Sequence, residues 1–234
     1  MFKQMLTTII VLLPMSVYGV QSINLSTRII TGEWNSDAGV IGGDVSQQGG
    51  QLGFSLAYHR DKFFTGIRLQ GGDYRFTDNA PNQITAVGAQ AVANSTVKHG
   101  EFDLLAGYYF FERTAFFLDI KTTSDKWLSN NYQQDFSGLG VGVNSFYPIN
   151  KNWLLYGSFG VTANAQLNDI NKNKLADASS VAFDIGFSYK LGERSALGIG
   201  LNLRAYTYTL PSGTAQTYSI GGLSAYYQHR FEMP

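Results

Sequence analysis

The run from Val181 to Thr209 constrains this chain more than any other stretch. Val181, Phe183, Ile185, Phe187 and Tyr189 alternate with Ala182, Asp184, Gly186, Ser188 and Lys190. A polar knot, Gly192-Glu193-Arg194-Ser195, follows. Leu197, Ile199, Leu201 and Leu203 then alternate with Gly198, Gly200, Asn202 and Arg204. A period of two puts the apolar set on one face of each strand and the small or charged set on the other. The same unit recurs at Leu52-Phe54-Leu56-Tyr58, at Phe102-Leu104-Ala106-Tyr108 and at Phe116-Leu118-Ile120. It returns at Leu139-Val141-Val143, which alternate with Gly138, Gly140 and Gly142.

Between these units the connections have a rhythm. Short polar turns at Arg60, Glu112, Pro148 and Gly192 alternate with longer stretches near Asp44, Asn82, Asn130, Asn171 and Pro211. Residues 35–50, 77–97 and 166–179 are polar and rich in turn formers, so they read as long loops. Strands with apolar residues outside and polar residues inside, short turns at one end and long loops at the other, are the pattern of a transmembrane barrel. The sequence therefore predicts an all-β, antiparallel, up-and-down barrel of about ten strands, with eight as the alternative. Each strand should be about 9 to 11 residues long.

Elsewhere the composition is restrictive. No window reaches the roughly 18 consecutive apolar residues of a membrane-spanning helix. The basic head Met1-Phe2-Lys3-Gln4, the apolar run after it and the small residue Gly19 predict a signal peptide over residues 1–19, cleaved after Gly19. Residues 20–234 then form a single domain. The 0 cysteines suit passage through an oxidising compartment. A formal net charge of +0 offers no electrostatic footprint for nucleic acid.

Aromatic residues gather near both strand ends, as rings do at a membrane interface. Tyr58, Tyr108, Tyr147, Trp153 and Tyr189 lie beside the short turns, and Trp34, Trp127 and Tyr206 toward the loops. All eight are expected to belong to two girdles at opposite strand ends, and Tyr206, with Tyr156 and Tyr226, also shares the inward face, where its bulk would fill the lumen. By the alternation, Arg28, Arg68, Glu101, Asp103, Asp119, Lys121, Asp184, Lys190, Arg204 and Arg230 point into the lumen. Mixed signs in a narrow barrel favour mutual pairing and a plugged interior. A narrow pore for ions or small solutes, with these charges setting selectivity, is the alternative. Substitution of Arg68 or Arg204 separates the two: a plug should lose stability and a pore should change conductance.

With alternating faces, turn rhythm and an aromatic closing strand over residues 218–231, the chain resembles the small outer-membrane β-barrel proteins of Gram-negative bacteria. The resemblance spans nearly all of the mature chain and is architectural. It implies periplasmic turns and termini, a surround of lipid and lipopolysaccharide, and recognition by the outer-membrane assembly machinery. Tyr227 and Phe231 match the terminal aromatic signal of such proteins, although Glu232-Met233-Pro234 follow it. A plugged lumen leaves a structural or surface-interaction role, with the loops at residues 35–50, 77–97 and 166–179 contacting the outside.

Enzymatic barrels resemble one another in short histidine motifs. Lipid-modifying barrels carry His-x-Ser and omptin-type proteases carry Asp-x-His. His59, His99 and His229 sit in neither pattern, so catalysis is not expected. His99 and Glu101 share a strand face and read as a solvated pair at a loop edge. No ligand spacing predicts a metal or a cofactor. No residue pattern points to a particular solute or oligomeric state.

Overall fold

The computed structural model describes residues 21–37 and 45–233. The predicted signal peptide and the middle of the first predicted loop lie outside the described residues. Ten strands close into one antiparallel barrel: β1 (Ser22–Asp37), β2 (Val45–Arg60), β3 (Phe63–Arg75), β6 (Thr96–Phe111), β7 (Thr114–Trp127), β8 (Gln133–Pro148), β9 (Trp153–Asp169), β10 (Lys174–Lys190), β11 (Ser195–Thr209) and β12 (Ala215–Glu232). Each pairs with its neighbour in sequence, β3 pairs with β6, and β12 returns to pair with β1. Between β3 and β6, β4 (Asn79–Thr85) and β5 (Gly88–Ala93) form a separate hairpin.

One end of the barrel carries the tight connections at residues 61–62, 112–113, 149–152 and 191–194. Ser22 pairs with both Glu232 and His59, so both ends of the described chain lie at this same end.

The barrel strands run 13 to 18 residues, longer than the sequence pattern predicts. Residues 35–37 and 45–50 are strand rather than loop, and the stretch 166–179 contributes only residues 170–173 to a connection. The stretch 77–97 is largely the β4–β5 hairpin. Strands this long, tilted as closure requires, stand about 40 Å tall, against about 25 Å for an apolar band.

The two parts of each strand follow opposite patterns. On β11, Leu197, Ile199, Leu201 and Leu203 face out while Asn202 and Arg204 are buried inside. Two residues on, Thr207 and Thr209 face out and Tyr206 and Tyr208 face in. On β1, Leu25 and Ile29 face out over Asn24, Ser26 and Arg28; beyond them Glu33 and Asn35 face out over Trp34 and Ser36. Over its apolar outer face the lower barrel holds the buried charges and, at the turn end, a ring of aromatic residues, whereas the upper barrel is polar outside and mainly apolar inside. That reversal hides the upper strands from a search for one repeating pattern.

It also corrects the loop-end girdle. Trp34, Trp127 and Tyr206 are each 0% exposed and point into the barrel, which for Tyr206 is the inward face that the alternation along its strand already gives. Together with Tyr74, Phe136 and Tyr218 they form an apolar core of the upper barrel. Rings that stand above the apolar band have water outside, so burial favours the interior. Tyr147, Trp153 and Tyr189 face out at the turn end, and Tyr58 and Tyr108 share the outward parity of their strands.

Two local devices fit the strands together. The glycines of β8 make room for its neighbour: a Cβ at Gly140 would collide with the Asp119 carboxylate, and one at Gly142 with the ring of Phe117. In β9, Asn164 takes a φ of 53° beside register shifts on both flanks. This bulge changes the inward parity from Thr162 to Ala165 and Leu167, which lets β9 follow the reversal.

Candidate functional site

The lumen is filled in three levels. At the turn end, Phe64, Tyr109, Phe117, Phe146, Tyr156 and Tyr226 pack inside the barrel. Above them lies a charged level. Asp184 accepts from Arg28 Nη1 at 3.1 Å, from Arg204 Nη2 at 2.9 Å and from Asn202 Nδ2. Arg204 Nε lies 3.9 Å from Glu101, whose carboxylate also meets Lys121 Nζ at 3.3 Å. Lys121 reaches Asp103 at 3.0 Å, and Arg68 reaches the other oxygen of Asp103 at 3.3 Å. A continuous chain of opposite charges thus joins β1, β10 and β11 to β6, β7 and β3.

Topology gives these contacts their meaning. In the closed order of ten strands, β11 and β6 lie diametrically opposite, as do β12 and β7. Tyr206 donates to Glu101 at 2.8 Å across the first diameter, and Tyr218 donates to Asp125 at 2.8 Å across the second. The side chains of opposite walls therefore touch at two successive heights. Between them His99 is clamped, Nδ1 to Asp125 at 2.6 Å and Nε2 to Glu101 at 3.3 Å. The rings of Trp34 and His99 lie nearly perpendicular, with centroids 5.5 Å apart. His99 and Glu101 are each 3% exposed, which corrects the expectation of a solvated pair.

The β4–β5 hairpin closes the mouth. Ala80 and Ile84 join the upper apolar core. Trp127 Nε1 donates to the Pro81 carbonyl at 2.9 Å, Tyr132 donates to the Ile84 carbonyl at 2.6 Å, and Gln83 and Asn130 exchange two hydrogen bonds. Polar groups of the hairpin are thus paired with the end of β7 and with the connection that follows it, as burial demands.

Of the ten residues expected to face the lumen, Arg28, Arg68, Glu101, Asp103, Lys121, Asp184 and Arg204 are brought into this one network. Asp119 faces the lumen beside Gly140 but at the edge of it. Lys190 lies half-buried at the turn end of β10, and Arg230 Nη2 lies 3.8 Å from Glu232 near the end of the chain; neither joins the charged level. Tyr227 and Phe231 face outward on β12. Sequence reasoning missed Asp125 and Tyr218. Asp125 is legible in hindsight, because the inward parity of Lys121 and Thr123 continues to it. Tyr218 continues the inward parity of Arg230 and Tyr226 in the same way, and only its place among the loop-end aromatics hid it.

In chemical terms, every ionised group at the centre has an opposite charge in contact. Both nitrogens of His99 are engaged by carboxylates, which leaves neither to act on an incoming hydroxyl. Among the described residues, no group of three or more ligating side chains has the arrangement of a metal site.

No protein-family model matches the chain, and no curated protein matches it. Solved structures do. The outer-membrane protease OmpT of Escherichia coli superposes with a TM-score of 0.56 at 9% identity, covering 91% of this chain and 97% of that one. An outer-membrane channel from Pseudomonas putida F1 aligns at 0.47 and 11% identity over 92% and 97% of the two chains. Neisserial surface protein A aligns at 0.34 and 11% identity over 90% and 97%. Likeness to OmpT at so low an identity establishes architecture: the chain has the closed antiparallel fold of the outer-membrane β-barrels.

Proposed function

We propose that this chain is a sealed outer-membrane barrel of a Gram-negative bacterium, with a structural or surface-interaction role rather than a conducting one. The membrane assignment rests on the exterior. Leu139 is 70% exposed, Leu223 66% and Ile199 62%, and they belong to an apolar belt that continues around the lower barrel. A belt of that extent in water would aggregate, whereas lipid covers it at no cost. Export through a cleaved leader, entry by way of the assembly machinery, and short turns and termini in the periplasm follow from the same reading. The upper barrel, polar outside and packed inside, then stands above the membrane as a rigid exposed rim.

The observation that carries the sealed state is the contact between opposite walls at two heights, Tyr206 to Glu101 and Tyr218 to Asp125. A water-filled path would have to break both and displace the hairpin. Single-channel recording of the refolded protein in a planar bilayer tests this. Folded, inserted protein should give no discrete steps at any voltage in the ordinary range. Reproducible steps would refute the sealed reading and make Arg204, Glu101 and Lys121 selectivity residues.

A further inference from the structure

The outer wall of the lower barrel carries a groove of about 650 Å³ that neither the lumen nor the upper rim explains. Its floor is made by small residues, Thr27 on β1 and Ala225 on β12. Phe54 and Ile29 stand on one side, Tyr227 and Leu197 on the other. Thr27 pairs with both Phe54 and Tyr227 across its two ladders, and Ala225 pairs with Ile29, so the low floor between tall walls is a consequence of register. Its lining is almost wholly apolar.

At the turn end, the same two strands leave the apolar pattern. Ser195 and His229 are direct cross-strand partners on β11 and β12, one step beyond Leu197 and Tyr227 on the same outward face. Ser195 Oγ lies 2.9 Å from His229 Nδ1 and 3.1 Å from the Tyr227 hydroxyl. Three hydrogen-bonding side chains therefore converge where an apolar groove meets the girdle formed by Trp153 and Tyr189, whose rings lie 5.1 Å apart. Apolar channel and polar head match one class of molecule in both parts.

We propose that this groove and the Ser195–His229–Tyr227 cluster seat one glycerophospholipid. Its acyl chain lies over Thr27 and Ala225, and its ester and phosphate oxygens accept from the hydroxyls and imidazole. The inference rests on the membrane reading above. The position at the short-turn end puts the site in the periplasmic leaflet, which makes the occupant a phospholipid rather than lipopolysaccharide.

The test is native mass spectrometry of the full mature chain, released by mild detergent from bilayers containing phosphatidylethanolamine and lipopolysaccharide. Wild-type protein should retain one phosphatidylethanolamine. Ala225→Trp, which fills the floor, should abolish retention, and Thr27→Phe serves the same purpose should that variant not fold. Leu223→Trp, on the same strand but outside the groove, should retain the lipid. His229→Ala should lower the bound fraction about two- to tenfold, the worth of one hydrogen bond. Equal retention by Ala225→Trp and Thr27→Phe, preference for lipopolysaccharide, or inserted protein without lipid would overturn the proposal. Failure of the wild type to insert into bilayers would instead overturn the membrane reading beneath it.

Discussion

Asp184 is the residue on which the charged level turns, because it neutralises two guanidinium groups, Arg28 and Arg204, that are 1% exposed. Removing it leaves both cations buried without that partner. Asp184→Ala should therefore lower the unfolding free energy by about 3–5 kcal/mol, as measured by urea titration of protein folded in vesicles. A loss under 1 kcal/mol would mean that water, not Asp184, solvates the arginines. At this scale the sequence was informative about position and silent about partner. Parity along β10 and β11 put Asp184 and Arg204 inside, yet nothing along the chain says that Arg28, 156 residues away, shares the same carboxylate.

Elements differ in how they are held. The β4–β5 hairpin is anchored by side chains, so it can be removed without opening a ladder of the barrel. Replacing residues 79–93 by a short Gly-Ser link should shift tryptophan fluorescence to the red, because Trp127 loses the Pro81 carbonyl and its cover. Conductance should stay at zero, since the Arg204–Glu101–Lys121 level beneath remains. Steps from that variant would locate the seal in the hairpin alone. The β9–β10 connection is held by local polar contacts instead. Asp169 accepts from the backbone N–H groups of Asn171 and Asn173 and from the Asn173 side chain, and these bonds hold its carboxyl below the ordinary range. A depressed carboxyl contributes order that is present above its unfolded value, about 3.9, and is lost as pH falls through the lower folded value. Hydrogen exchange at residues 170–173 should therefore be flat from pH 8 to about pH 5 once corrected for intrinsic rates, and should accelerate only under more acidic conditions. Asp169→Ala should show the fast exchange at every pH.

Viewed whole, the molecule is two barrels on one set of strands, a lipid-facing one and a water-facing one, with opposite rules of burial. Charge placed on the outside should cost stability in the first and not in the second. Leu201→Arg, within the apolar belt, should destabilise by about 2–4 kcal/mol, and Thr207→Arg, three turns of the pleat higher, by close to zero. Equal effects would mean that the boundary between the two regions is misplaced. The same division explains the long strands, because the upper halves are stabilised by a core of their own around Trp34, Trp127 and Tyr206.

Alternation of period two is a local property, so the chain alone determined that strands form, that the barrel is antiparallel with about ten of them, and which side chains of the lower half face the lumen. Turn length, also local, determined which end is which. Only closure of the barrel decided the rest. Opposition of β11 to β6 and of β12 to β7 exists only once β12 has returned to β1, and that opposition is what joins separate inward charges into one network across the lumen. Closure likewise brought His99 from an expected loop edge to a buried clamp, and turned the loop-end aromatics from a girdle into a core. The environment outside each strand changes with height above the membrane, and height is a coordinate that no single segment carries.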